Sequence, residues 1–134
     1  MRAVLLVFCA TLLTAQTPAI KKVPVTPSSP VSGKDMFAHY CAVCHGVDAK
    51  GKGPAAAALK VPPTDLTRLT AVNKGKFPED RIFSILDGKT QIAAHGTSDM
   101  PIWGELFGSL LPGREDVVHL RIVNLTDHLK SLQK

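Results

Sequence analysis

The chain reads as an all-helical domain with long irregular connections, and three observations predict that class. Apolar residues recur at helical spacing in three separate segments. No segment alternates apolar and polar residues with the period of two that marks a strand. Glycine and proline crowd the stretches in between, where they interrupt regular structure. With 134 residues there is room for one domain with a modest core. Large side chains are scarce, with one Trp, one Tyr and five Phe, so a buried cofactor would help fill such a core.

The N-terminus has the pattern of a secretory signal. Arg2 supplies a minimal positive region, Ala3 to Leu13 an apolar run broken only by Thr11, and Thr14-Ala15-Gln16 a small-residue exit. Residues 1–15 are therefore expected to be a signal peptide, with a short uncleaved anchor as the competing reading. The run is too short for an ordinary membrane span. Cys9 belongs to this discarded stretch, since Phe8 stands where lipid attachment requires a small residue. Cleavage removes one positive charge, Arg2, from the formal net charge of +5. Residues 16–31 carry Pro18, Pro24, Pro27 and Pro30 among Ser, Thr and Val, a composition that favours extended chain and predicts a linker. The folded domain is expected over 32–134.

Ser32 followed by Asp35 makes a capping box and predicts a helix running to about Cys44. Met36, Phe37, Tyr40 and Cys44 share one face of it. From His45 to Thr70 the chain reads as loop, punctuated by Gly46, Gly51, Gly53, Pro54, Pro62 and Pro63, with a short helical turn over Ala55 to Leu59. Pro78 suits a first helical position, and Glu79 and Asp80 then complement the helix dipole. Ile82, Phe83, Ile85 and Leu86 supply the apolar face, and Gly88 ends the helix. Residues 89–112 read as a second loop. Arg114 to Gln133 is the longest periodic segment, with Val118, Ile122, Leu125, Leu129 and Leu132 on one stripe. Two connections of that length in so small a domain call for a central ligand to organise them.

Cys41-Ala42-Val43-Cys44-His45 names that ligand. Two thiols three positions apart on a helical turn can each add to a vinyl group of one haem, and the adjacent histidine reaches the iron from one face. A thioredoxin-like redox pair would need strands around it, and a zinc site a second pair of ligands at close spacing. A disulfide across so short a loop gives little stabilisation. Haem c, attached through Cys41 and Cys44, is the expected cofactor, with His45 as proximal ligand. For the second axial position the candidates are Met36, Met100, His39, His95, His119 and His128. Met36 and His39 lie on the attachment helix, and His119 and His128 on the last helix. Met100 lies in a loop stiffened by Pro101, which makes it the expected ligand, with His95 its rival. Thioether sulfur favours ferrous iron and raises the potential above that of a bis-histidine site.

These residues resemble the class I, mitochondrial-type monohaem cytochromes c in their bacterial form, over residues 33 to 132. Gly33 and Phe37 match the family's first helix, and Cys41, Cys44 and His45 its attachment motif. Gly51 to Pro54 and Val61 to Leu66 look like its haem-edge loop, and Gly96 to Gly104 its methionine loop. The resemblance implies a small cytochrome c fold of three to five helices wrapped around one haem, with the N- and C-terminal helices crossing. It also implies that the carbonyl of Pro62 or Pro63 holds the proximal histidine, and that Trp103 packs near the haem propionates. His128 departs from the pattern, falling where many relatives carry an aromatic residue at the helix crossing.

A haem with two protein ligands has no open site for a substrate. The expected function is one-electron transfer between a donor and an acceptor protein in the periplasm or another extracytoplasmic compartment, with no catalysis and no small-molecule substrate. The alternatives are a dedicated haem subunit of a larger oxidoreductase, and a peroxidatic or ligand-binding protein from which Met100 dissociates. Lys50, Lys52, Lys74, Lys76 and Lys89 fit docking to an acidic partner, and equally fit ordinary solubilising charge. Nothing in the pattern suits nucleic acid. Membrane contact is expected only through an uncleaved N-terminal anchor, and a monomer is the default.

Overall fold

The computed structural model of the chain describes residues 28–90 and 102–134. The expected signal segment, the first part of the expected linker, His95, Met100 and Pro101 lie outside these described residues. Among the described residues there are six α-helices: α1 Gly33–Met36, α2 Ala42–His45, α3 Leu69–Val72, α4 Glu79–Leu86, α5 Trp103–Leu110 and α6 Glu115–Ser131. A π-helical turn, Phe37–Cys41, makes α1 and α2 one continuous rod. Single 3-10 turns occupy Ala56–Ala58 and Leu66–Arg68. There is no strand among the described residues, and no helix among them is long and apolar enough to cross a membrane.

The first helix starts where the cap predicts: Asp35 N donates to Ser32 Oγ at 3.2 Å. Its buried face differs from the expected one. A uniform α-helix would line up Met36, Phe37, Tyr40 and Cys44, yet Gly33, Met36, Phe37, Cys41, Ala42 and His45 are the buried residues, and Tyr40 and Cys44 are half-exposed. The π turn is the cause. It closes i to i+5 bonds, as in Ala42 N to Phe37 O, and the extra residue rotates everything beyond it by about one position. That rotation turns Cys41 and His45 inward.

The long helix α6 packs against α1, α4 and α5. Ile122, Leu125 and Leu129 of the expected stripe are buried, and Val118 and Leu132 are partly so. At the α1–α6 crossing Gly33 admits the closest approach. A Cβ there would collide with the Asn124 carbonyl oxygen and stand 2.8 Å from His128 Cβ. One turn on, the Phe37 and His128 rings are 5.4 Å apart, so His128 does pack in the aromatic position of the crossing.

The two expected loops are more ordered than the sequence suggests. Residues 45–70 contain both 3-10 turns, and 89–112 contains the whole of α5. Gly104 and Gly108 mask the helical character of α5, but Trp103 and Phe107 recur at helical spacing and both are buried. The end of the expected linker contacts the helices. Ser28 is buried, and Ser28 and Pro30 hydrogen-bond to α6 through Arg121 and Asn124.

Candidate haem site

His45 ends α2, and its backbone is held by the loop that follows. Gly51 N donates to His45 O at 2.7 Å, Gly53 N to Cys44 O at 3.0 Å and Ala55 N to Val43 O at 2.9 Å. The carbonyls a helix end leaves unpaired are thereby satisfied within 46–55. Gly51 has a φ of +79°, and a Cβ there would strike the Pro63 carbonyl, so this loop and the 61–66 segment press together at a glycine. Leu66 N to Ala49 O at 2.8 Å completes the stitch.

The same stitch brings a carbonyl to the imidazole. His45 Nδ1 lies 3.1 Å from Thr64 O. A carbonyl only accepts, so Nδ1 carries the proton and Nε2 is the nitrogen that presents a lone pair. The role expected of Pro62 or Pro63 thus falls to Thr64, because the Pro63 carbonyl is turned toward Gly51. No sequence signal distinguishes one backbone carbonyl from the next in this run.

His45 and Cys41 are 7% and 9% exposed, and both line a cavity of about 270 Å³. Leu66 and Leu69, Ile82 and Leu86 of α4, and Leu125 and Leu129 of α6 supply its apolar wall. Burial, with the neighbouring Cys44 thiol, pushes the Cys41 thiol up to about 12, so it stays protonated until it reacts. Neither cysteine is in a disulfide. Pro62, Pro63 and Trp103 are not among the residues lining this cavity. Trp103 stacks instead with Tyr40 at 5.5 Å and Phe107 at 5.7 Å. His39, His119 and His128 do not line it either, and Met36 is a fully buried core residue. Asn73 and Arg81 do line it, and sequence patterning singled out neither.

Two thiols on one turn, a buried imidazole with its tautomer set and an apolar cavity beside them make a donor set that fits a covalently attached haem. The fold and this site together define a small helical haem-carrying protein. The family model described as Cytochrome c matches residues 30–102, more than half of the chain, and the chain belongs to that family as a monohaem, class I-type member. Cytochromes c bind haem c covalently and carry electrons on it. Neither the curated proteins nor the solved structures contain a match to the chain.

Proposed function

We propose that the protein is a one-electron carrier with a single haem c bound through Cys41 and Cys44, ligated by His45 and Met100, working between redox proteins outside the cytoplasm. The observation that carries this reading is the His45 Nδ1 to Thr64 carbonyl bond beside the buried Cys41. A haem bound there supplies an iron that changes oxidation state by one electron. Thr64 orients the His45 ring and strengthens it as a donor through the bonded Nδ1 proton. Ile82, Leu86, Leu125 and Leu129 keep water away, which limits the reorganisation that accompanies a change of charge. Two protein ligands would leave no open position for a substrate, so outer-sphere transfer is the activity left.

The apolar signal pattern of residues 1–15 supports export. Lys50, Lys52, Lys74, Lys76 and Lys89 are all exposed, and Val43 and Val47 are exposed apolar residues in and just after the attachment motif. Exposed lysines and small exposed apolar residues suit a brief encounter with an acidic partner.

Absorption spectra of the full chain, matured with a haem-attachment system, test the assignment. A sharp low-spin α-band on reduction is expected, together with a weak near-infrared sulfur-to-iron band in the oxidised form that Met100→Ala abolishes. High-spin oxidised spectra, or a band unchanged by Met100→Ala, would overturn Met100 ligation. Carbon monoxide binding to the reduced form at neutral pH would point to an open, catalytic site instead.

A further inference from the structure

The described chain is already pressed onto the fold where it begins. Ser28, its first residue, is 7% exposed. Arg121 holds its carbonyl and its Oγ, and its own N–H donates to Tyr40 Oη at 3.3 Å. Followed backwards from the first helix, the chain climbs α6 toward the N-terminus of that helix. Gly33 lies against Asn124 and His128, Pro30 accepts from Asn124, and Ser28 is met by Arg121. The next turn of α6 in that direction carries Val117 and Leu120. At residue 28 the chain is travelling along the helix, not away from it.

That path meets an apolar flank. Leu120 directly precedes Arg121 on α6 and is exposed. Arg121 lies 5.3 Å from the centre of the Phe107 ring of α5, and Leu106 and Leu110, which flank Phe107 in sequence, are exposed as well. Single exposed leucines are ordinary, but three on one helix pair, where the chain arrives, are a surface that gains from cover. Glu105 of α5 and Glu115 of α6 are also exposed, and no ion pair among the described residues engages either. Asp116, by contrast, is taken by Arg114.

The residues just upstream match this flank in chemistry and in length. Ile20, Val23 and Val25 are apolar and Lys21 and Lys22 are cationic. Pro18, Pro24 and Pro27 favour an extended chain with three residues per turn. At that period Ile20 and Val23 recur on one edge, and both lysines stay off it. Residues 18–27 in this form reach about 31 Å. Leu106 to Leu110 and Val117 to Arg121 each span about 6 Å of helix, so the reach suffices. A proline-rich segment also loses little backbone freedom on docking.

We propose that residues 18–27 of this chain form a strap along the α5–α6 flank. Ile20, Val23 and Val25 cover Leu106, Leu110 and Leu120, and Lys21 and Lys22 face Glu105 and Glu115. The strap fixes where anything N-terminal to residue 18 leaves the domain. The exit is on the α5–α6 side, and neither α5 nor residues 115–121 line the cavity. The proposal rests on no property of the haem site.

Amide hydrogen exchange on the full chain, matured with a haem-attachment system, tests the strap. Exchange at Lys21, Lys22, Val23 and Val25 is expected to be at least about tenfold slower than in unstructured chain. Leu110→Ser combined with Leu120→Ser should abolish that slowing and leave α6 protected, since both leucines are exposed. Ile20→Ser combined with Val23→Ser should abolish it from the other side, in residues upstream of the first helix. Exchange at the unstructured rate over 20–25 in the wild type would overturn the strap, and so would slowing that survives either pair of substitutions. Light scattering on the same samples separates the rival occupant. A dimer that the leucine pair dissociates would mean that a second copy of the chain covers the flank, and would overturn the proposal.

Discussion

Arg121 Nη2 donates to the Ser28 carbonyl at 2.9 Å, joining α6 to the segment that precedes the first helix. Its Nη1 reaches Ser28 Oγ at 3.3 Å, and the guanidinium lies 5.3 Å from the centre of the Phe107 ring. Arg121 is only 4% exposed, so a full charge has left water with hydrogen bonds and an aromatic face as compensation. Asn124 adds a second bond, to the Pro30 carbonyl at 3.0 Å. The entering chain is latched along α6.

Removing this latch should cost more than a surface substitution. Arg121→Ala is expected to destabilise the protein by about 2–4 kcal/mol, through lost charged hydrogen bonds and lost packing. Arg121→Met keeps the volume and removes the buried charge, so it should cost less. Urea unfolding gives the stabilities. Amide exchange should quicken around residues 28–32 in both variants, and unchanged exchange there would refute the latch.

Gly33 is expected to resist even alanine. Alanine favours a helix over glycine by about 1 kcal/mol, but the added methyl would meet the Asn124 carbonyl and His128 Cβ. Overpacking at such a crossing costs about 1–3 kcal/mol or more, so Gly33→Ala should be destabilising on balance. Gly75, where a Cβ meets nothing within 4 Å, offers a contrast in space, although its φ of +84° disfavours any side chain.

His128 should give the protein an acid-sensitive helix crossing. Burial, then the nearby Lys34 charge, lowers its pKa from the ordinary value of 6.5. Between the folded and ordinary values the unfolded chain binds more protons than the folded one, so stability rises with pH there. Equivalently, stability is lost as pH falls below about 6.5, and the loss levels off below the lowered folded value. His128→Phe should flatten this limb while keeping the stack on Phe37, as measured by urea midpoints from pH 7 to pH 5. An unchanged limb in the variant would assign the pH dependence elsewhere.

Gln133 ties the C-terminus to the cavity wall. Its Oε1 accepts from Thr70 N at 2.9 Å, and its Nε2 donates to Leu66 O at 2.8 Å and Leu129 O at 2.7 Å. Leu66, Leu69 and Leu129 all line the cavity, so the far end of the chain braces the haem site. Gln133→Ala is expected to cost about 1–3 kcal/mol and to quicken amide exchange over 66–70. A change below 0.5 kcal/mol would mean that water replaces these bonds.

The first helix, α4, α6 and the covalent motif were legible because they rest on local rules. The 3.6-residue stripe of Ile122, Leu125 and Leu129 announces α6, and the five residues from Cys41 to His45 announce the cofactor. Where a local rule has an exception, the reading slipped. The π turn at Phe37–Cys41 has no sequence marker, and it turned the inward face from Tyr40 and Cys44 to Cys41 and His45. Helix α5 escaped because Gly104 and Gly108 lower its propensity, while the burial of Trp103 and Phe107 against the rest of the core sustains it.

By itself, then, the sequence determines the fold class, the cap at Ser32, and the thiols and imidazole that would hold a haem, all of which depend on residues close together in the chain. Tertiary structure alone decides that the Thr64 carbonyl, and not that of Pro62 or Pro63, faces His45, that Ser28 is latched by Arg121, and that Arg81 lines the cavity. Each of these joins groups that are distant in sequence or chemically anonymous, a backbone carbonyl or a solvent-facing arginine. Their partners exist only once α1, α4 and α6 have packed and the two loops flanking His45 have closed on each other.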